Sequence, residues 1–271
     1  MNADDTVIYT TGLESDCIMT EIQEDLQRVE QWMKNDKLVL NLTKTKCMLF
    51  GTKQKLANAP FKIQLHGSDI ERVRNFCYLG VTLDKYLSWK EHVSKVFTEV
   101  NKRLGLLGRI RSCLKLKAAK CVCNCLVLPI LCYTDRVWGE LSVECKSGLQ
   151  RLQNQAKRII VRRDSTSEAL KTLGWPNIET IRKRNKSILV YKCLNDLVPQ
   201  YLCDYFSRNH SFHSYNTRRS EDIHPSRLKL SLAKRTFRYP GVIIFNSLPE
   251  TYKRTASLEA FKRLLMKYDF A

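Results

Sequence analysis

The hydrophobic positions separate a mixed N-terminal stretch from a helical remainder. In the first stretch, apolar residues recur every three or four positions from Ile18 to Trp32, which is the period of an amphipathic helix. The polar turn His66-Gly67-Ser68-Asp69 lies between apolar residues and predicts a hairpin. Short runs of β-branched and aromatic residues predict strands at 6–10, 38–40, 47–50 and, as a pair, within 76–83.

From Ser88 onward the pattern is that of helices. Ser88 and Glu91 have the spacing of a capping box, in which the serine caps the helix that follows it. Pro129 and Pro199 are expected to stop two of the later helices. Helices are predicted from Ser88 to about Leu107 and near 115–128, 147–161, 165–173, 178–197 and 258–265, with an irregular stretch at 208–234 and a short strand or turn system at 235–246. We therefore predict an α+β fold that is mainly α.

The charge balance predicts the kind of binding partner. The chain has 46 Lys and Arg residues against 27 Asp and Glu residues, a formal net charge of +19. A protein this basic usually meets a polyanion, and nucleic acid is the expected one because Lys and Arg neutralise phosphates. A basic fragment with no partner is the alternative. The basic residues that we expect to bind nucleic acid are Lys102, Arg103, Arg109, Arg111, Lys157, Arg158, Arg218 and Arg219. Each cluster could instead be a solvated helix face.

The cysteines and the apolar runs bear on the compartment. The first five residues are acidic and do not resemble a signal peptide, so we expect the 11 cysteines to be reduced in an intracellular protein, in the nucleus or the cytoplasm. The longest apolar run, 121–133, is too short to cross a bilayer, so we expect no membrane contact. Cys121, Cys123 and Cys125 lack the spacing of zinc ligands and are expected to be buried free thiols.

Two adjacent carboxylates, Asp4 and Asp5, precede the apolar run at 6–10. Neighbouring like charges repel, so such a pair is unusual unless a cation lies between them. Oxygen ligands of this kind suit Mg²⁺, and two-metal phosphoryl transfer uses them. By itself, the pair could equally be an exposed acidic turn or a helix cap.

Several strings occur in the order found in reverse transcriptases of non-LTR (LINE-type) retrotransposons. Asn2-Ala3-Asp4-Asp5 resembles the aromatic-Ala-Asp-Asp hairpin of that family's palm, with Asn2 in the aromatic position. Asn41-Leu42-Thr43-Lys44-Thr45 is similar to the family's Asn-x-x-Lys-(Thr/Ser). The primer-grip hairpin resembles 76–84. Later strings that resemble the family are Leu128-Pro129-Ile130-Leu131-Cys132-Tyr133, Leu173-Gly174-Trp175-Pro176 and Phe245-Asn246-Ser247-Leu248-Pro249.

The resemblance implies roles for particular residues. Asp4 and Asp5 match the catalytic pair that binds Mg²⁺, and Lys44 or Lys46 matches a region near the phosphates of the nucleotide. The primer grip would contain Tyr78, Leu79 and Gly80, for which a strand packed on the palm is the alternative. The implied partners are RNA and DNA as an RNA–DNA hybrid; the oligomeric state is not implied.

The resemblance also implies domain boundaries within the chain. It implies a partial palm at 1–86, a helical thumb at 87–143, a helical connection region at 144–200 and a basic C-terminal region at 201–271. A family polymerase needs a third aspartate and fingers upstream of the hairpin, so we expect these residues alone to be a truncated and inactive reverse transcriptase. The alternatives are a non-catalytic nucleic-acid-binding remnant and a decayed reading frame without function.

Overall fold

The computed structural model describes residues 6–57, 60–138, 140–162, 173–209, 222–225 and 233–270. The chain divides into two compact units, one up to Glu91 and one from His92. Helices dominate, with a few short strands in the first unit, which agrees with the predicted α+β fold that is mainly α. The finer assignment to palm, thumb, connection region and basic C-terminal region stays a prediction.

The N-terminal unit combines one long helix with small two-stranded sheets. The long helix α1, Ser15–Asn35, covers the predicted amphipathic stretch. The other elements are β1 (Lys46–Cys47), α2 (Lys53–Ala57), β2 (Gln64–Leu65), β3 (Ser68–Asp69), β4 (Glu71–Arg72), β5 (Asn75–Tyr78) and β6 (Val81–Asp84). Strand β1 pairs in parallel with β4, whereas β2–β3 and β5–β6 are antiparallel hairpins.

Both predicted hairpins are present, and glycine explains their turns. In β2–β3 the two turn residues, His66 and Gly67, have φ of 49° and 73°. In β5–β6 the turn residues Leu79 and Gly80 have φ of 47° and 77°. Two positive φ values in a two-residue loop are the geometry of a type I′ turn, whose twist matches that of the strands.

The strands predicted at 6–10 and 38–40 are wrong, and the one at 47–50 is reduced to Lys46–Cys47. Val39 is 96% exposed and Tyr9 is 82% exposed, so these runs have no apolar surface to cover them. β-branched residues favour strands chiefly through packing against a neighbour, and no neighbouring strand pairs with these runs in the part of the chain described here.

Asp84 organises the chain between β6 and the next helix, α3 (Lys90–Ile110). One carboxylate oxygen accepts from the Tyr86 amide at 3.0 Å, and the other accepts from the amides of Ser88 and Trp89 at 2.8 and 2.9 Å. The Ser88 hydroxyl donates to the same carboxylate at 3.2 Å. The predicted capping box is therefore wrong: the helix starts at Lys90, and the serine helps to hold the preceding loop.

The C-terminal unit is helical, and its first core contains the buried face of α3, the helix predicted from Ser88. The buried apolar residues of that face are Val93, Val96, Val100, Leu104 and Leu107. The ring of Phe97 lies against Gly148, where an added Cβ would come within 2.4 Å of Phe97 Cζ. After α3 the elements are a 3₁₀ turn (Arg111–Cys113), α4 (Leu116–Leu126), α5 (Leu128–Cys132), α6 (Val143–Val161), α7 (Ile178–Leu194), α8 (Gln200–Cys203), a 3₁₀ turn (Ala233–Arg235), α9 (Arg238–Asn246), α10 (Glu250–Lys253) and α11 (Leu258–Lys267).

A second core forms where α7 meets α9 and α11. The rings of Tyr191 and Phe261 stack with centroids 4.3 Å apart, and Phe245 is fully buried beside them. The strand or turn system predicted at 235–246 is wrong because Pro240 lies in the first turn of α9, where a helix tolerates proline. Gly241 then lets the helix approach Val190.

Segment 222–225 is attached to this second core through its main chain. The Asn246 side chain accepts from the Ile223 amide and donates to the Ile223 carbonyl, both at 2.9 Å. Nearby, Lys253 Nζ bonds Asp222 at 2.5 Å and the Asn246 carbonyl at 2.9 Å. The Ile223 side chain is fully buried, so the segment is held both by a two-point polar contact and by apolar packing.

Other predictions meet the structure at single residues. Helix α4 ends at Leu126, shortly before Pro129 as predicted, and Pro129 itself lies in the first turn of α5. All 11 cysteines are free, yet of the three in α4 only Cys123 is buried, because Cys121 and Cys125 lie on the exposed face. The helix predicted at 165–173 lies almost wholly outside the described residues. No helix within the described ranges is long and apolar enough to span a bilayer.

Candidate nucleic-acid interface

The solvent face of α3 carries cations at a regular interval. Lys95, Lys102 and Arg109 are exposed and seven residues apart. Seven residues are close to two helical turns, so the three side chains share one face at intervals of about 10 Å. Sequence reasoning identified Lys102 and Arg109 but missed Lys95, although the seven-residue repeat could have revealed it.

Small residues lie between these cations. Thr98, Gly105 and Gly108 are exposed, and a Cβ added at either glycine would meet nothing within 4 Å. Packing within the protein therefore does not require glycine at these positions. Glycine in a helix interior costs about 1 kcal/mol relative to alanine. The result is a helix face on which an external backbone could approach closely between positive charges.

Two other basic residues predicted in this region make contacts inside the protein. Arg103 Nε bonds Glu99 at 3.0 Å, and its Nη1 donates to the Leu126 carbonyl at 3.0 Å. Arg111 is buried, and its guanidinium donates to the carbonyls of Ile160 at 2.7 Å and Leu114 at 2.6 Å. The prediction that Arg111 binds nucleic acid is corrected: it joins the end of α3 to the C-terminal end of α6.

Of the two basic residues of α6 that were predicted to bind nucleic acid, one is buried and the other is exposed. Lys157 is 0% exposed, and its Nζ has no hydrogen-bond partner among the described residues. Burial lowers the pKa of this ammonium to about 8, because a charge away from water is unfavourable. Lys157 is therefore not a phosphate contact, contrary to the prediction. Arg158 is exposed, exposed Arg151 lies on the same face of α6, and exposed Arg162 follows the end of the helix.

The exposed cations of α3 and α6 have an explanation that needs no ligand. Arg109 and Arg158 lie near the C-terminal ends of their helices, where the unpaired carbonyls favour positive charge. Lys95 and Lys102 lie farther from the helix end, so this effect does not account for them. The seven-residue spacing of the exposed cations on α3 is therefore better evidence for a ligand-binding surface than the charges near the helix ends.

The remaining predicted site residues lie in the N-terminal unit or outside the described residues. Tyr78, Leu79 and Gly80 form the tip of the β5–β6 hairpin, with Leu79 exposed. Lys44 is exposed in a turn, and Lys46 Nζ is bridged to Glu71 at 2.5 Å. The predicted residues outside the described ranges are Asp4, Asp5, Arg218 and Arg219. The roles of all these residues stay predictions.

The Mg²⁺ implied by the resemblance has no site that the structure can test. Within the described ranges, no group of three or more His, Cys, Asp or Glu side chains is placed to hold a metal ion. The implied ligands, Asp4 and Asp5, are not among the described residues. No catalytic step through a metal therefore follows from this geometry.

A buried polar cluster in the C-terminal unit serves packing. Arg182 lies over the Trp138 ring at 4.0 Å from the centroid, and the His92 ring meets the same indole edge-on at 4.8 Å. Asn185 donates to buried Asp135 at 2.7 Å. Burial raises the pKa of Asp135 and lowers that of His92. These groups are enclosed, so they do not extend the basic surface.

Comparison with known proteins finds two similar proteins. The chain is 32% identical over 143 residues to a probable RNA-directed DNA polymerase from transposon BS of Drosophila melanogaster, covering 51% of this chain and 16% of the relative. It is 26% identical over 154 residues to the RNA-directed DNA polymerase from mobile element jockey of the same organism, covering 56% of this chain and 16% of the relative. No protein-family model and no solved structure matches.

These matches confirm the predicted relationship. Over about half of its length, the chain is similar to these RNA-directed DNA polymerases of mobile elements. It spans about one sixth of the length of the curated relatives that it matches.

Proposed function

We propose that these residues are the part of a retrotransposon reverse transcriptase that holds nucleic acid, with the exposed face of α3 following the backbone of an RNA–DNA hybrid. The single observation that carries the proposal is the seven-residue interval of Lys95, Lys102 and Arg109 on the solvent face of α3. The β5–β6 hairpin would be the primer grip and α3 the first helix of the thumb. The relationship to retrotransposon polymerases supports both assignments.

The physical basis is phosphate neutralisation. Three cations in a row can each displace a condensed counterion from a nucleic-acid backbone, which makes affinity depend steeply on salt. The exposed glycines between them would let sugar and phosphate groups approach the helix backbone. An ordinary solvated helix face would also be basic, but its charges would act only through the net charge of the protein.

The test compares two triple variants of the purified 271-residue chain. The first is Lys95→Gln, Lys102→Gln and Arg109→Gln. The matched control removes three exposed lysines of the N-terminal unit by Lys34→Gln, Lys37→Gln and Lys55→Gln, so the loss of net charge is the same. The dissociation constant for a labelled RNA–DNA hybrid is measured over a range of salt concentrations.

We expect the α3 variant to bind more weakly and to lower the slope of log Kd against log salt by about 2 to 3, one unit for each lost phosphate contact. The control should keep a slope close to that of the wild type. Equal slopes in the two variants would show that net charge alone attracts the hybrid, and the α3 interface would be wrong.

Catalysis is the second part of the proposal. In the complete polymerase, Asp4 and Asp5 would hold Mg²⁺, whereas the 271 residues by themselves would bind nucleic acid without extending a primer. The support is that these residues cover only 16% of each related polymerase. Primer extension on an RNA template tests this. Extension by the purified chain that disappears with Asp4→Ala would overturn the proposed inactivity.

A non-catalytic nucleic-acid-binding remnant and a decayed reading frame are the remaining candidates. A remnant would bind the hybrid as proposed but would lack a catalytic partner. A decayed frame predicts that the cores built around Leu104 and Phe261 give no cooperative transition. Urea unfolding followed by circular dichroism distinguishes it, since a single steep transition requires a defined core.

A further inference from the structure

Two tyrosines project from the surface just after α7. Tyr201 is 65% exposed and Tyr205 is 46% exposed, although large aromatic side chains are usually covered. They lie four residues apart, and the backbone continues in helical turns beyond α8, with the Asp204 amide bonded to the Gln200 carbonyl at 3.0 Å. The Tyr205 amide is bonded to the Leu202 carbonyl at 3.3 Å, so the two exposed tyrosines belong to one continuous run of turns.

The ring of Tyr205 is held in place by its surroundings. The guanidinium of Arg238 lies over it at 5.5 Å from the ring centroid. The next residue, Phe206, is buried and meets the Phe237 ring edge-on at 5.6 Å. Preorganised aromatic rings lose little freedom when a ligand binds.

A groove with polar lining lies next to the segment that carries the two tyrosines. A groove of about 430 Å³ between the end of α7 and residues 206–208 is lined by Gln200, Ser207 and Arg208 among others. Asp196 and Asp204 also line it, and Gln200 donates to Asp204 at 2.9 Å. Amide, hydroxyl, carboxylate and guanidinium groups can bond the polar edges of a nucleobase, whereas an apolar protein helix would leave them unpaired.

We propose that Tyr201 and Tyr205 form a stacking platform for unpaired bases of a single-stranded nucleic acid, with the adjoining groove accepting a base edge. Exposed aromatic rings beside arginine are the combination that binds single strands through base faces and phosphates. The platform is separate from the α3 interface and recognises bases, not backbone charge. A strand that follows a gripped hybrid, either RNA or DNA, is the occupant that this chemistry fits.

The experiment uses the full chain with both Tyr201→Ala and Tyr205→Ala, and oligonucleotides with and without bases. The probes are an oligouridine RNA, an oligothymidine DNA and an abasic oligomer of equal length. The wild type should bind the base-containing probes more tightly than the abasic one. The variant should lose about tenfold or more in affinity for them, since each stacked base contributes about 1–3 kcal/mol. Its affinity for the abasic oligomer and its salt slope should not change.

Two controls make the outcome decisive. Tyr9→Ala removes an exposed tyrosine of the N-terminal unit and should leave every affinity unchanged. Tyr201→Phe with Tyr205→Phe keeps the rings and should retain most of the base-dependent affinity. Equal weakening for abasic and base-containing probes, or no weakening at all, would overturn the platform. Failure of the α3 interface would appear in the salt slope instead, so the two proposals are judged separately. The RNA and DNA probes show which strand is preferred.

Discussion

Helices α3 and α6 both carry several basic residues, yet they use them differently. On α3, Lys95, Lys102 and Arg109 point to solvent at a regular interval. On α6, Lys157 is enclosed without a hydrogen-bond partner among the described residues, and the carbonyl of Ile160 accepts from buried Arg111. The same residue types therefore form a surface on one helix and interior contacts at the other. A count of lysines and arginines cannot distinguish these roles, but substitutions can.

The largest expected effect on stability is at Arg111, one of the two buried basic residues in this comparison. Arg111→Met keeps the apolar stem but leaves the buried Ile160 carbonyl and the part-buried Leu114 carbonyl without their donor. Leaving buried polar groups unpaired costs about 1–3 kcal/mol for each group, so the free energy of unfolding should fall by about 3 kcal/mol. Urea unfolding measures it. Exposed Arg109→Met is the control and should change stability by less than about 0.5 kcal/mol. Equal effects at both positions would refute the contrast.

Gly148 tests the contact between the two helices. In Gly148→Ala the new methyl group would overlap the Phe97 ring, which must move. Overpacking of this kind destabilises by about 1–3 kcal/mol. Adding Phe97→Leu should recover part of the loss by making room, and a double-mutant cycle in urea measures the coupling. Additive effects of the two substitutions would mean that the side chains do not press on each other.

The pH dependence of the free energy of unfolding tests whether Lys157 is buried. Its pKa is lowered by burial to about 8, so above pH 8 the unfolded chain binds more protons at this position than the folded one. The contribution of Lys157 to the free energy of unfolding should therefore rise as the pH increases from 8 towards 10.5, the ordinary pKa of lysine. Lys157→Met should raise the free energy of unfolding at pH 7 by about 2 kcal/mol.

The same variant should lose that pH dependence relative to the wild type. Unfolding curves at pH 7 and pH 10 provide the comparison. A difference between wild type and variant that is the same at both values would mean that the amine is solvated in the folded protein. Arg158→Met, one residue along on the exposed face, is the matched control and should leave the pH dependence as it is.

The smallest effect in stability belongs to the glycines of α3. Gly105→Ala should stabilise the helix by up to about 1 kcal/mol, because alanine loses less freedom there and meets no neighbour. If the face follows a nucleic-acid backbone, the methyl group should also weaken binding of the hybrid. Thermal unfolding and a binding titration on one preparation measure both. A more stable protein with unchanged affinity would indicate that no backbone approaches at this position.

The local parts of the fold could be predicted from the sequence. The stripe on α3 and the hairpins at Gly67 and Gly80 depend on spacing and on backbone geometry that glycine permits, and both are present. The helix at Arg238–Asn246 was not predicted, because proline usually interrupts a helix, although Pro240 lies in the first turn, where it is tolerated. The burial of Arg111 depends on a carbonyl 49 positions away, which no local pattern contains.

The candidate site was predictable to a similar extent. Lys102 and Arg109 were identified as basic surface residues, and the structure exposes both. Tyr201 and Tyr205 were missed because an aromatic residue in a short apolar stretch looks like core. Only the packing of Phe206 and Cys203 on the inner side shows that the tyrosines face outward. Whether an aromatic side chain is covered is decided by distant elements, so sequence patterns leave it open.

The Asn246 side chain has a consequence for how this protein would age. It copies the two hydrogen bonds of a strand partner, donating to one atom of Ile223 and accepting from another. Asparagine followed by serine can lose its amide when the serine nitrogen attacks the side chain, but here the Ser247 amide is bonded to the Ile243 carbonyl at 3.1 Å, which slows that attack. The resulting carboxylate could no longer donate, and it would place a negative charge against the Ile223 carbonyl. Segment 222–225 would then lose the hydrogen bond to its Ile223 carbonyl without a mutation or a ligand, while its bonds to Lys253, Asn209 and Ser207 would remain.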